Sequence, residues 1–302
     1  MESDNTRPIV VAVGNDPVDS ALEFAAAEAA RIGCGVHLVH AVHVVPTGPE
    51  MVLLDFGDIE RMGRETLRAA VATAEGMVGD ETRLTSEVDD GPPVRTVVDA
   101  GRNARMIVVQ RTDVNWLMRA VRRSVAHGVA RHAQVPVVSV PDGWHERSEP
   151  SDGPGRVTLG VDIPDRCRPL LAAALSEARG RGAELEILHT WWFPSLYDDV
   201  VTDRIAQDSW TLTTRHEIED ILLEFDKEAA GVDVTVTTRH ADPAAALIEA
   251  SRHSRLVVVG RHDPLIAMGS HLGPVVRAVL RRAECPVLLA NPGELRTDDL
   301  SA

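Results

Sequence analysis

A repeat with a period of about 150 residues constrains this chain more than any other feature. The segment RMIVVQRTD at 105–113 returns as RLVVVGRHD at 255–263, an offset of 150 (255 − 105). His40 and His189 are a further pair of equivalent residues, 149 apart (189 − 40). Solenoid repeats span roughly 20–50 residues, whereas a period this long is the length of a complete domain. The chain is therefore predicted to hold two homologous domains, whose equivalent positions can be compared.

Composition restricts the compartment and the partners. The 302 residues suit two domains of ordinary size, and with 44% hydrophobic but only 3% aromatic residues the cores must be aliphatic. The net charge of −15 repels nucleic acid and anionic lipid, so we expect neither as a partner. Cys34, Cys167 and Cys285 lie far apart, which favours a reducing compartment. With no signal-peptide pattern and no apolar run of roughly 18 residues, we expect a cytoplasmic protein.

Short apolar runs alternate with helical patterns in each half. Runs such as IVVAV and LVVVG are apolar throughout, which is typical of parallel strands covered on both faces. The predicted strands are 9–13, 35–42, 82–88, 106–109 and 135–140, then 156–161, 184–189, 232–238, 256–259 and 286–290. Predicted helices include 19–32, 59–78 and 93–102. This alternation predicts two tandem doubly wound α/β domains, each with a five-stranded parallel sheet.

The stretch PDGWHERSEPSDGP at 141–154 is rich in Pro, Gly, Ser and acidic residues, which indicates a linker. We therefore place the first domain at 1–140 and the second at 155–293. Residues 294–302 are predicted to form a flexible tail.

Ligands of open α/β sheets bind beyond the carboxyl ends of strands, where the strand order reverses. In the second half the segments after the first and fourth strands are VDIPD at 161–165 and GRHDPLIAMGSHLGP at 260–274. Glycines there allow close approach of a phosphate to the backbone, and the next helix start offers free N–H groups. Turns need glycine as well, so the pattern by itself leaves an anion site and a plain turn as alternatives.

The second of these segments resembles the universal stress protein family. That family has Gly, two residues, Gly, nine residues, Gly and then Ser or Thr, followed by a helix and a strand that begins Pro-Val. Here Gly260 is followed by Asp263, nine further residues, Gly273 and Pro274, and then by VVRAVLRRAECPVLLA. The opening turns VAVGNDP and LGVDIPD resemble the family's first strand and its turn.

The resemblance implies the adenine nucleotide alpha hydrolase-like fold, with the strand order 3-2-1-4-5 in each half. It also implies a role in the stress response and, in some members, ATP with Mg²⁺. It also implies that the last strand of each domain pairs across a two-fold axis. The tandem chain would then be an intramolecular pseudo-dimer, with a homodimer as the alternative. Carried onto the second half, the nucleotide-binding roles fall to Asp162, Thr190, Gly260, Ser270 and Gly273.

Two positions of the second half depart from the family pattern. Asp263 replaces a glycine and brings negative charge toward the phosphates. Pro274 replaces the hydroxyl residue and removes both its O–H and its N–H. We therefore expect weak ATP binding at this site.

The first half departs further. Gly14 replaces the Asp, and Gln110, Asp113 and Arg123 replace the three glycines, so that only Ser124 matches. We expect no nucleotide site here and a structural role for this half.

Other chemistries lack their motifs. The sequence has no HExxH, no GxSxG and no GxxxxGK[ST], so we expect no metal site, no catalytic residues and no P-loop. We expect a stress-response binding or signalling protein and not an enzyme. Two alternatives remain open: a ligand-free dimerisation or docking module, and a slow ATP hydrolase in which Asp263 would be the only candidate base.

Overall fold

The computed structural model describes residues 7–42, 56–111, 119–146, 155–191, 204–261 and 272–290. The chain divides between Arg147 and Ser148 into two compact units.

The first unit alternates strands and helices from its start to its end. Its elements are β1 (Ile9–Val13), α1 (Asp19–Ile32), β2 (Val36–Val42), α2 (Phe56–Glu75), β3 (Leu84–Asp90), α3 (Pro93–Ala100), β4 (Met106–Arg111), α4 (Arg119–His132) and β5 (Val137–Pro141).

The second unit repeats this order and adds one short helix. Its elements are β6 (Arg156–Val161), α5 (Arg168–Arg181), β7 (Glu184–Trp191), α6 (Arg204–Leu223), α7 (Asp226–Ala229), β8 (Val234–His240), α8 (Pro243–Ala250), β9 (Leu256–Gly260), α9 (Pro274–Arg282) and β10 (Val287–Ala290).

Both units are doubly wound α/β structures. The strand order is β3-β2-β1-β4-β5 in the first unit and β8-β7-β6-β9-β10 in the second, and these neighbours pair in parallel. The predicted order 3-2-1-4-5 and the predicted fold class are confirmed.

The central strands form the cores. Ile9, Val10 and Val11 of β1 are fully buried, and so are Val157 and Leu159 of β6. Adjacent residues of a strand point to opposite faces of the sheet, so burial of adjacent residues requires helices on both faces. This packing explains why β1 is apolar throughout.

The two units repeat individual contacts as well as elements. His40 Nδ1 donates to the Val13 carbonyl oxygen at 3.0 Å, and His189 Nδ1 donates to the Val161 carbonyl oxygen at 3.0 Å. Both rings are buried, so each bond satisfies a polar atom that water does not reach. This bond joins the first two strands of each unit at their carboxyl ends.

Equivalent glycines end the first helix of each unit. Gly33 after α1 has φ 68° and Gly182 after α5 has φ 58°, and both backbone N–H groups bond back into their helices. Left-handed backbone at a helix end favours glycine because it has no Cβ.

The third strand of each unit begins two residues later than predicted, at Leu84 and at Val234. The pairing with the neighbouring strand sets this boundary: Val36 pairs with Leu84, and Val42 pairs with Asp90. Acidic residues at 89–90 thus remain in the strand because β2 extends far enough to pair with them. Hydrophobic periodicity does not report such a pairing.

The predicted linker at 141–154 begins with residues that pack on the first unit. Pro141 is the last residue of β5, and Asp142 N–H donates to the Arg111 carbonyl oxygen at 2.9 Å. The Trp144 ring lies 5.8 Å from the Phe24 ring, centroid to centroid. The predicted tail at 294–302 lies outside the described residues.

Candidate functional site

The strand order reverses between β6 and β9 in the second unit. From β6 the chain passes to β7 on one side, and β9 lies on the other. The carboxyl ends of these strands therefore border the crevice in which ligands of such sheets bind. In the first unit the equivalent place lies between β1 and β4.

The structure brings three of the predicted site residues to adjacent strand ends. Asp162 directly follows β6 and is exposed, Thr190 is the second-last residue of β7, and Gly260 is the last residue of β9. Gly273 caps the start of α9, with φ −63° and ψ 165°. Ser270 lies outside the described residues, as does Asp263.

The backbone of Thr190 faces the crevice. Glu184 N–H donates to Gly155 O of the β6 side at 2.9 Å, whereas Leu185 N–H donates to Asp233 O of the β8 side at 2.8 Å. Peptide groups alternate in this way along a parallel strand, so Thr190 faces the side of β6. The last β6 residue in the register, Val161, pairs with His189. The Thr190 carbonyl group therefore extends beyond the end of β6.

Gly260 packs closely against a helix of its own unit. A Cβ atom built on Gly260 would lie 2.8 Å from Cδ1 of Leu170, a buried residue of α5. Such a distance is far below van der Waals contact, so the Leu170 side chain and any side chain at 260 compete for the same space. The sequence interpretation that this glycine makes room for phosphate gave a different reason for it.

The start of α5, where the Leu170 side chain lies against Gly260, has a backbone donor of its own. Leu171 N–H donates to Cys167 O at 2.7 Å, but the Leu170 N–H has no acceptor among the described residues. The first N–H groups of a helix lack partners within the helix and are satisfied by side chains, water or ligands. Sequence comparison missed Leu170 as a site residue because its side chain looks like ordinary core.

Two other groups near this helix start have plain structural roles. Arg168 donates to both carboxylate oxygens of Glu224, at 2.8 and 2.6 Å, and this bond holds the pKa of the Glu224 carboxyl below its ordinary value. Burial raises the pKa of the Cys167 thiol to about 11. The thiol is therefore protonated at neutral pH and is not a nucleophile.

In the first unit a side chain fills the equivalent place. Gln110 Oε1 accepts from Ala21 N–H of α1 at 3.1 Å, and Gln110 Nε2 donates to the Pro17 carbonyl oxygen at 3.1 Å. Gly14, the counterpart of Asp162, is exposed. The sequence repeat pairs Gln110 with Gly260, and equal helix positions pair Ala21 with Leu170. This joint exchange was the signal that could have revealed the contact.

The fourth helices of the two units begin at different places in the repeat. α9 begins at Pro274, directly after Gly273, whereas α4 begins at Arg119 and so includes Arg123 and Ser124. Ser124, the one residue of the first half that matches the family pattern, therefore lies inside a helix and not at its start. A residue this far inside a helix has its N–H used by the helix.

In the described ranges, no helix combines the length and hydropathy that crossing a membrane needs. Those ranges also contain no group of three or more His, Cys, Asp or Glu side chains that could hold a metal ion.

Comparison with known proteins agrees with the fold and the repeat. The sequence model of the universal stress protein family matches residues 5–141 and 154–291. A universal stress protein of Mycolicibacterium smegmatis is 28% identical over 284 residues, covering 91% of this chain and 93% of that protein. A universal stress protein of Mycobacterium tuberculosis is 29% identical over 290 residues, covering 93% of this chain and 96% of that protein.

A solved structure supports the same fold over nearly the whole length. The crystal structure of a universal stress protein from Archaeoglobus fulgidus superposes with a TM-score of 0.66 at 16% identity, covering 95% of this chain and 98% of that one. With both halves matched by the family and the order 3-2-1-4-5 present in each, the chain belongs to the universal stress protein family as a tandem two-domain member.

Proposed function

We propose that this protein is a cytoplasmic stress-response binding protein with at most one weak adenine-nucleotide site, which lies in the second unit. The ligand would be ATP, accompanied by Mg²⁺, and the protein would signal by binding it, without catalysis. The proposed site residues are Asp162, Thr190, Gly260, Ser270 and Gly273.

One observation carries the proposal: the equivalent N–H groups at the start of α1 and α5 differ in whether a described residue accepts a hydrogen bond from them. In the first unit Ala21 N–H bonds to Gln110, whereas in the second unit Leu170 N–H has no acceptor within the described residues. A helix start of this kind suits an anion or another hydrogen-bond acceptor. Beside this helix start, the exposed Asp162 carboxylate and the Thr190 carbonyl oxygen beyond the end of β6 would accept hydrogen bonds from a sugar or a base.

The residues fit a nucleotide only in part, which is why we propose weak binding. Pro274 has no N–H to offer to a phosphate, although N–H groups of the next residues of α9 remain available. Gly260 fits a packing role as well as a binding role. A ligand-free docking module therefore stands as the alternative, and a slow ATP hydrolase is less supported.

Asp162→Ala tests the proposal. We expect it to weaken ATP binding by about tenfold, because a hydrogen bond to a charged group contributes roughly 1.5–3 kcal/mol. Calorimetric titration with Mg-ATP measures the change. Asp165→Ala is the matched control, since Asp165 is also exposed and lies three residues away. If parent and both variants take up no ATP, the docking alternative replaces this proposal.

A further inference from the structure

Gln110 connects three parts of the first unit at its strand-order reversal. Its Oε1 accepts from Ala21 N–H at 3.1 Å, and its Nε2 donates to Pro17 O at 3.1 Å and to Asp142 Oδ1 at 3.0 Å. The carboxamide thus uses its acceptor on the start of α1 and both donor hydrogens on the surrounding loops. One side chain satisfies the groups that a bound ligand would meet there.

The segment after β5 closes over the same place. Asp142 N–H bonds to Arg111 O at 2.9 Å, and the Glu146 N–H donates to Glu23 Oε1 at 2.9 Å. His145 Nδ1 lies 2.8 Å from the other carboxylate oxygen of Glu23. Residues 142–146 are therefore held against α1 by backbone as well as side-chain bonds, and Asp142 brings them to Gln110.

In the second unit, both residues equivalent to the Ala21–Gln110 pair are different. Leu170 stands where the first unit has Ala21, and Gly260 stands where it has Gln110. The Leu170 side chain reaches the space over Gly260, because a Cβ there would lie 2.8 Å from Leu170 Cδ1. In the first unit, the small Ala21 of the helix is paired with the long carboxamide side chain of Gln110. In the second unit, the large Leu170 of the helix is paired with Gly260, which has no side chain. The two pairs are alternative ways to pack one place, and only the Ala21–Gln110 pair satisfies the helix N–H.

We propose that Gln110 is an internal plug that takes the place of a ligand in the first unit. We also propose that the residue pair at this position, Ala21–Gln110 or Leu170–Gly260, decides whether a unit is closed or can bind. The first statement stands on the contacts of Gln110 alone. The second rests on the nucleotide site proposed above.

Amide hydrogen exchange tests the plug without any nucleotide. Gln110→Ala should speed exchange at Ala21 N–H by about three- to tenfold, the effect of losing one ordinary hydrogen bond. Gln110→Glu is the matched variant, because it keeps an acceptor for Ala21 but loses both donors and faces Asp142 with a second carboxylate. We expect it to leave Ala21 slow and to speed exchange at Asp142 and Glu146. Unchanged exchange at Ala21 in Gln110→Ala would overturn the plug.

Transplanting the plug tests the second statement. Leu170→Ala with Gly260→Gln places the first unit's pair in the second unit, and Leu170→Ala with Gly260→Leu fills the space without an acceptor. We expect exchange at the residue 170 amide to be about three- to tenfold slower in the Gln variant than in the Leu variant. We also expect the Gln variant to lose ATP binding in calorimetry while its circular dichroism stays that of the parent.

The outcomes separate the two proposals. Slow exchange at residue 170 with ATP binding intact would keep the plug and overturn its role in opening the site. Slow exchange with no ATP binding even in the parent would keep the plug and remove the proposed function. Equal exchange in the two double variants would overturn the second statement, that the residue pair decides whether a unit is closed, and would leave the test of Gln110 in the first unit to stand by itself.

Discussion

Gly260 matches the family pattern, but its close packing against Leu170 gives a separate, steric reason for glycine at this position. It ends β9 beneath the Leu170 side chain, where even a single added carbon would overlap. Gly14 differs, since the described atom nearest to a Cβ there, apart from its chain neighbours, would be Asp16 N at 4.0 Å. The same residue type therefore has a steric cause at 260 and none at 14.

Gly260→Val should lower the free energy of unfolding by about 1–3 kcal/mol, because overpacking of a tight core costs that much. Urea denaturation followed by circular dichroism measures the change. Leu170→Ala in the same chain should recover part of the loss by making room for the new side chain. Gly14→Ala is the control and should change stability little. A fully stable Gly260→Val that no longer binds ATP would instead support the reading in which this glycine makes room for the ligand.

At the scale of elements, the start of the fourth helix distinguishes the units. α9 begins at Pro274 with Gly273 as its N-cap, so its first free N–H groups belong to the residues after the proline. α4 begins at Arg119, well before the position equivalent to Gly273. The second unit alone thus keeps a helix start where the family pattern places one.

Asp263→Gly with Pro274→Ser restores the family pattern at this helix. We expect ATP to bind at least about tenfold more tightly, since the change adds a hydrogen bond to phosphate and removes a negative charge. Pro274→Ala is the control for the backbone N–H alone. Calorimetry compares the three proteins. If the double variant binds no better than the parent, something other than this loop closes the pocket.

At the scale of the whole molecule, the two units keep one fold while the residues at their equivalent crevices differ. The second unit keeps an aspartate at the end of its first strand and a glycine at the end of its fourth, where the first unit has Gly14 and Gln110. In the first unit, the hydrogen bonds of Gln110 hold the loops around it. The net charge of −15 opposes the approach of large anions such as nucleic acid or an anionic lipid surface.

The asymmetry predicts that one chain binds at most one nucleotide. Titration of the full chain with Mg-ATP should saturate at a molar ratio no greater than one, because Gln110 fills the first crevice. Gln110→Glu should not raise this ratio, since it adds negative charge to a place that still contains a side chain. A ratio of two in the parent protein would contradict both the asymmetry and the plug.

The sequence by itself determined the fold class and the tandem repeat, and its resemblance to the family gave the strand order. The fold class and the repeat follow from patterns along the chain: adjacent apolar residues in the strands, helical periodicity between them, and a repeat that survives in residues such as His40 and His189. Asp162, Thr190 and Gly260 were likewise placed correctly at strand ends, since a strand's end is a local property.

Only the tertiary structure determined which contacts the residues at the crevice make. Gln110 bonds to Ala21 and Pro17, which lie 89 and 93 residues away in sequence, and Gly260 is fixed by Leu170 of a distant helix. The boundaries of β3 and β8 also depended on their pairing partners. Steric overlap and hydrogen-bond satisfaction are properties of atoms brought together by folding, and no pattern along the chain reports which atoms those are.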